Sequence, residues 1–274
     1  MATETLFELD LTDGPALTLH ERASGHVAER YPWDALEPSR YPAALLERAR
    51  YSWTLRALNE FGSATVMGQL VQVMGEARVP LDLWSLAARF PAEEIHHVEL
   101  CARMAMRLGG GTRLSYSPGA FAVAFDPSLT FLQRASELIV RVCCVGETLS
   151  FALLSGCLRA TSHPLTRAVL TTLVQEEALH GRLGYLYLDW LAPDLDAAEK
   201  DRLGRVAREA LDAQAPLWEK LRSVTKDGVT SEGFLLEHVT ELGWMESRDY
   251  VTVSQETAET QVRAPLSRHG IRVP

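Results

Sequence analysis

Residues 93–97 read Glu-Glu-Ile-His-His and residues 176–180 read Glu-Glu-Ala-Leu-His, two stretches in which a carboxylate is followed three positions later by an imidazole. On a helix that spacing brings both side chains onto one face, so Glu94 with His97 and Glu177 with His180 can each offer a metal ion an oxygen and a nitrogen. A solitary Glu-x-x-His arises by chance about 0.7 times in a chain of this composition, and the Glu-Glu-x-x-His form only about 0.06 times. Two copies on separate helical patterns therefore stand apart from ordinary solvated Glu and His. The first copy also permits the register Glu93 with His96; Glu94 with His97 makes the two motifs superimpose.

A two-ion centre inside a helical bundle needs one further carboxylate from each of two other helices. Glu147 is the candidate in the second half of the chain, because its helical face otherwise holds Val140, Cys143, Cys144, Phe151 and Leu154, where an unpaired carboxylate is costly. In the first half Glu60 shares a face with Trp53, Ala57, Ala64, Met67 and Val71. Glu76 competes with it, but its neighbours Gln69 and Gln72 mark a solvated face. Four carboxylates neutralise two divalent ions, two imidazoles leave coordination positions open, and a donor set without thiolate favours iron or manganese over structural zinc. Glu93 and Glu176 point one residue off the ligand face, where each can accept the distal N–H of a ligand histidine and fix its tautomer.

The elements that must position these groups are helices. One uninterrupted pattern runs from residue 42 to about 78. A second covers about 81–108, with Pro91 kinking it or opening its second half just before the first motif, and Gly109–Gly111 ending it. The alternation at 112–125, with Ser-Pro-Gly inside it, predicts a short hairpin. Further helices are expected over about 128–160, 164–191 and 197–224, and a helical region follows to about 263. The chain thus reads as all-α and as one domain, with an arm (1–41), a bundle carrying the motifs (42–192) and a helical extension packed on it (193–274).

Bulk properties narrow the function classes. The 274 residues carry a net charge of −9, and the 27 lysines and arginines are scattered rather than striped, which excludes a phosphate-tracking surface and makes nucleic acid an unexpected partner. Acidic residues stand at the N-terminus where a signal peptide has basic ones, and no continuous apolar run approaches the roughly 18 residues of a membrane span. A cytoplasmic protein with no membrane association is the expectation. Cys101, Cys143, Cys144 and Cys157 lie in helical patterns without Cys-x-x-Cys spacing, as reduced core thiols would. His20, His26, His163, His238 and His269 fall in loops, the arm or the C-terminal region and are expected to be exposed.

The arrangement Glu60, Glu94-x-x-His97, Glu147, Glu177-x-x-His180 resembles that of the ferritin-like di-iron carboxylate superfamily over about residues 42–192. The resemblance implies a ferritin-like four-helix bundle and two iron ions, or manganese with iron, bound by those six residues. It does not by itself select a reaction. Rubrerythrins carry a Cys-x-x-Cys pair that is missing here. The radical-forming reductase subunits have a tyrosine where this chain has Cys101, the arylamine N-oxygenases a histidine where it has Leu173, and the bacterial hydroxylases a threonine where it has Phe151. Phe151, Leu154, Leu173, Cys101 and Cys143, with the small Gly146, Gly181 and Gly184, suggest apolar walls and gaps near the metals. The extra arm and C-terminal region distinguish the chain from cage-forming storage proteins. Three readings follow. One is an oxidoreductase that uses dioxygen and an electron donor to oxidise a small, largely apolar substrate, with a homodimer as the candidate assembly. The others are a ferroxidase or metal-binding protein without an organic substrate, and a scaffold with a structural metal.

Overall fold

The long periodic stretches become long helices in the computed structural model, which describes residues 5–214, 216, 221 and 224–274. At 71% helix with only two-residue strands, the chain is all-α. Helices α1 (Pro15–Ala23) and α2 (Val27–Arg30) lie in the N-terminal arm. They are followed by α3 (Ala43–Glu76), α4 (Leu81–Ala87) and α5 (Phe90–Arg107). The third long run comprises α6 (Phe131–Leu138), a π-helical stretch Ile139–Glu147 and α7 (Thr148–Ala160), and the fourth is α8 (Pro164–Leu191). Beyond these lie α9 (Ala197–Asp212), α10 (Leu236–Glu241), α11 (Ser247–Thr257), a second π stretch Ala258–Arg263 and α12 (Ala264–Arg268).

Local chemistry sets these boundaries. Arg78 takes a left-handed φ of 55° after α3, and Pro91 occupies the first turn of α5, so of the two alternatives Pro91 opens a second helix rather than kinking one. Gly109 and Gly110, at φ 115° and 108°, end α5 in backbone that side chains disfavour. A capping box opens α6: Gln133 N–H donates to Thr130 Oγ1 at 3.2 Å, and Thr130 N–H to Gln133 Oε1 at 3.0 Å.

The long helices associate in two pairs, α3 along α5, and the π stretch and α7 along α8. The link between α7 and α8 is only Thr161–His163, so the two run antiparallel. Contacts along them agree: Gly181 faces Thr148, Gly184 faces Cys144, and the Tyr187 and Ser136 hydroxyls are 3.0 Å apart. Contacts of α8 with α4 and α5, and of α3 with α6, join the pairs. Two apolar clusters result. One contains Met67, Leu70 and Met74 of α3, Phe90, Ile139, Cys143 and Cys144, and Leu183, Tyr187 and Leu191; the other contains Leu45, Trp53 and Leu58 of α3, Leu100, Met104 and Leu108, Leu154, Cys157, and Leu165, Leu170 and Leu173. Glu60, Glu94, His97, Glu177 and His180 fall between the two clusters along their helices, and Glu147 near the end of the first.

The arm buries Phe7, Val27, Tyr31, Leu36 and Tyr41, and the Tyr31 hydroxyl lies 2.8 Å from that of Thr172 on α8. The hairpin expected at 112–125 does not form. Strand β2 (Ser115–Tyr116) pairs instead with β1 (Thr5–Leu6), while Pro118–Ala120 curl into a 3-10 turn. Phe7 packing on Phe61 and Tyr116 provides the apolar contact that a self-paired hairpin would lack. Helix α9 ends at Asp212 rather than near 224, with Ala213 and Gln214 in a turn and part of the remainder outside the described residues. A hairpin, β3 (Thr225–Lys226) with β4 (Val229–Thr230), follows.

The helical stretch Phe131–Ala160 is long and apolar enough by length and composition to cross a membrane, although charged residues such as Arg141 and Glu147 interrupt it; 61% of its most apolar 18-residue window is buried within the molecule. That burial accounts for its apolarity, since α8 and α9 cover it. The four cysteines are buried and unpaired. Of the five histidines expected on the surface only His26 is exposed; His163 is buried, with its ring nitrogen 3.3 Å from the Ala35 carbonyl, and the others are half-buried.

Close packing of α8 on the π stretch yields a test. A Cβ at Gly184 would lie 3.0 Å from the Cys144 backbone nitrogen and closer still to its sulfur, whereas one at Gly68 on α3 meets nothing within 4 Å. Gly184→Ala is expected to cost about 1–3 kcal/mol and Gly68→Ala to add about 0.5–1 kcal/mol, both read from urea denaturation midpoints.

Candidate metal centre

Each pair of long helices delivers one lone glutamate and one Glu-x-x-His to the layer between the apolar clusters. Glu60 comes from α3 and Glu94 with His97 from α5; Glu147 ends the π stretch, and Glu177 with His180 comes from α8. All six side chains are buried, Glu94, His97 and His180 completely. One ligand atom from each of Glu60, Glu94, His97 and Glu177 lies within 4.8 Å of the others, and the same holds for Glu94, Glu147, Glu177 and His180. Glu94 and Glu177 belong to both groups, so the cluster is two four-residue sets sharing two carboxylates.

The orientation of the imidazoles is specific. His97 Nδ1 lies 3.5 Å from Glu94 and 3.6 Å from Glu177; His180 Nδ1 lies 2.9 Å from Glu94, 3.4 Å from Glu177 and 3.8 Å from Glu147. Neither Nδ1, nor any oxygen of Glu94 or Glu177, has an aligned hydrogen-bond partner, although all are buried. The opposite edges of both rings are satisfied, and they are satisfied crosswise. His97 Nε2–H donates to Glu176 on α8 at 2.9 Å, and His180 Nε2–H donates to Glu93 on α5 at 3.0 Å. In the neutral ring that a cation would require, the proton on Nε2 leaves the lone pair on Nδ1, directed at the carboxylates.

Six buried polar atoms that face one another without aligned hydrogen bonds are costly and are what one or two cations would satisfy. The oxygen and nitrogen donors suit hard to borderline divalent ions. These residues could hold a metal ion in each set, with Glu94 and Glu177 common to both.

Electrostatics follow from the crowding. Burial, with the Glu94 charge next, pushes the Glu60 carboxyl up to about 8, and burial, then Glu147, raises Glu177 well above the carboxylate range. Burial works against ionisation of Glu94 too, yet the imidazoles of His180 and His97 hold it at about 2. Both histidines are raised despite burial, His97 chiefly through Glu176 and His180 through Glu147. The outer glutamates are lowered, Glu93 chiefly through His180, and Glu176 to about 2 because His96 and His97 outweigh its burial.

The first motif lies in the register Glu94 with His97; Glu93 and His96 are half-buried outside the cluster, His96 Nδ1 being 3.3 Å from Glu176. Glu76 is exposed and accepts a hydrogen bond from Gln72. Cys101, Cys143 and Leu173 are fully buried, Leu154 nearly so, and Gly146 and Phe151 half-buried. Burial first, then Glu60, raises the Cys101 thiol; burial first, then Cys144 and Glu147, raises Cys143. The two thiols therefore stay protonated. Gly181 and Gly184 are filled rather than open, because Thr148 and Cys144 occupy the space a side chain would take. What sequence reasoning missed is the crossing of the hydrogen bonds and the Arg89–Glu93 pair at 2.9 Å; the i,i+4 spacing of Arg89 and Glu93 was its only signal.

No protein-family model matches the chain. No curated protein matches it either. The geometry of the cluster therefore carries the functional reading.

Two outcomes are expected. Between 4.5 and about 8 the folded metal-free protein keeps a proton on Glu60 that the unfolded chain has lost, so its stability falls as pH rises through that window, and a divalent cation must displace the proton. Titrating metal-free protein with Fe(II) at pH 6.5 should release protons, read as a binding heat that varies with buffer ionisation enthalpy. Glu176, held at about 2, contributes stability that is present above 4.5 and is lost as pH falls toward 2. Glu176→Ala or Glu93→Ala should weaken metal binding about 10- to 100-fold in chelator competition, whereas Glu76→Ala should leave it unchanged.

Proposed function

We propose that the chain is a ferritin-like bundle whose Glu60, Glu94, His97, Glu147, Glu177 and His180 hold two iron ions, or manganese with iron, and that it activates dioxygen to oxidise a small, largely apolar organic substrate. The observation that carries this reading is the set of six buried, unpartnered donor atoms of Glu94, His97, Glu177 and His180, flanked by Glu60 and Glu147. Two shared carboxylates fit a pair of neighbouring ions better than one. Four carboxylates match the charge of two divalent ions, and the absence of thiolate among the donors favours iron or manganese.

Bound there, the metals supply the electron transfer to dioxygen that no side chain can perform. The protein's own residues do the rest. Glu176 and Glu93 hold the Nε2 protons of His97 and His180 and fix both rings across the α5–α8 seam. The apolar clusters on either side exclude water. Cys101 and Cys143 present neutral, polarisable sulfur to the cluster rather than competing thiolates. Four unpaired thiols suit a reducing, cytoplasmic compartment, from which an electron donor would be drawn.

Elemental analysis of protein from iron-supplemented cells is expected to find about two iron or manganese atoms per chain, falling below about 0.2 in the Glu94→Ala, Glu177→Ala double variant. Oxygen-electrode traces of the reduced protein then separate the classes. Uptake that continues with electron donor and stops when organic substrate is removed supports an oxygenase, and uptake stoichiometric with added Fe(II) alone replaces it by a ferroxidase. Metal content below about one per chain, unchanged by the double variant, overturns the metal reading itself.

A further inference from the structure

Arg56 stands one helical turn before Glu60 on α3, about 6 Å along the axis, and is the half-buried guanidinium whose surroundings are hardest to explain by stability alone. Its guanidinium carbon lies 4.5 Å from the ring centroid of Trp53 and 5.4 Å from that of Trp244, and it lies against the Cys157 sulfur of α7. Its Nη1 is buried without a hydrogen-bond partner, and among the described residues no carboxylate pairs with it. Arg103 is paired with Glu99, and Arg202 with Glu137 and Glu199, whereas Arg134, over Phe125 and Phe131, has only the Pro127 carbonyl. An arginine stays charged at any physiological pH; the two indole rings and the Cys157 thiol meet part of this one, and its Nη1 is left without an acceptor.

The site around it is built from distant parts of the chain. Trp53 is fully buried and donates to the Leu242 carbonyl at 2.9 Å, and Gly243, at φ 107°, crosses so close to Trp53 that a Cβ would sit 2.7 Å from its ring. Met245 seats against Gly156 of α7. The segment between α10 and α11 thus forms an aromatic roof over Arg56. One turn before Arg56, Ser52 lines an open cleft of about 570 Å³ with Tyr51, Arg48, Glu47 and Ala44. Arg48, Ser52, Arg56 and Glu60 follow one another at intervals of four, along a single ridge of α3 from the surface to the buried cluster.

We propose that Arg56 binds the carboxylate of the substrate, which makes the compound oxidised at the Glu/His cluster an apolar monocarboxylic acid entering along α3. The planar carboxylate matches the guanidinium fork, Trp53 and Trp244 flank the join, and the hydrocarbon part lies toward Glu60. A single guanidinium in a chain of net charge −9 suits one negative charge better than a phosphate dianion. This inference rests on the proposed oxidation chemistry for the word substrate, but the binding it predicts is independent of metal.

The test uses the full chain, metal-free and iron-loaded, with butanoate to dodecanoate, benzoate and phenylacetate as probes and their primary amides as neutral counterparts. Acids are expected to change tryptophan fluorescence saturably and to raise the melting temperature, and amides to do neither. Arg56→Gln should weaken binding of the best acid about 10- to 100-fold. Arg56→Lys, which keeps the charge without the fork, should fall between the two, and Arg208→Gln, the same charge change on the exposed face of α9, should bind like the parent. If Arg56→Gln does not fold, the acid and amide comparison on the parent and the Arg56→Lys result decide. Equal binding of acids and amides, no response to any acid, or parental affinity in the Arg56 variants overturns the proposal. Acid binding in protein that takes up no metal would leave it standing while sinking the metal reading, and metal uptake without acid binding would do the reverse.

Discussion

Placing four carboxylates and two imidazoles in a dry layer is the constraint to which the rest of the structure answers. Each side chain alone would be expelled or neutralised, so the fold needs apolar mass above and below the layer to keep water out, and four helices to bring the donors together. Both are present. The clusters around Met67, Phe90 and Leu183 on one side, and around Trp53, Leu100 and Leu170 on the other, hold α3, α5, the π stretch and α8 in the register that aligns Glu60, Glu94, Glu147 and Glu177. Burying the layer and fixing the helix register are one requirement, because sliding any helix by a turn would move its glutamate into hydrocarbon.

The crossed hydrogen bonds show how the two motifs depend on each other. Glu176 belongs to the α8 motif but serves His97 on α5, and Glu93 belongs to the α5 motif but serves His180 on α8. Neither histidine is oriented by its own helix alone. This gives the doubled glutamate of each motif a physical reason: the inner member faces the cluster, and the outer member reaches over the seam to the other motif's imidazole. Its partial exposure lets the outer glutamate remain ionised and accept a proton's share from a buried ring.

Much of this was legible in the sequence, and the reasons are local. The i,i+3 spacing places Glu94 with His97 and Glu177 with His180 on one face whatever the tertiary structure, and the apolar neighbours of Glu60 and Glu147 mark them as buried carboxylates before any contact is known. The exposure of Glu76 follows equally from Gln69 and Gln72. What could not be read depends on contacts between distant segments. The alternation at 112–125 signals a strand but not its partner, and the edge was taken by Thr5–Leu6 because Phe7 completes an aromatic cluster there. Gly181 and Gly184 look like gaps in one dimension; in three they are where Thr148 and Cys144 come closest to α8. His163 reads as a loop residue, yet it is buried because the arm returns over it to present the Ala35 carbonyl.

The two halves deliver the same donors but surround them differently. Around Glu147 the backbone is a π stretch, a geometry that widens the helix and is common at functional sites, and α9 and the second π stretch cover it from outside. Around Glu60 the backbone is regular α-helix, and the departures lie in the side chains: an unpaired Arg56, two tryptophans and a C-terminal segment turned over them by Gly243. On the proposed reading, a centre that only stored or passed ions would gain nothing from such asymmetry, since its ions would see the same six side chains from either side. An organic molecule has a polar end and an apolar end, and it must approach from one direction. On the proposed reading, Arg56 and the two tryptophans would anchor such a molecule on the Glu60 side, while the helices on the Glu147 side are closely packed, which would direct it along α3.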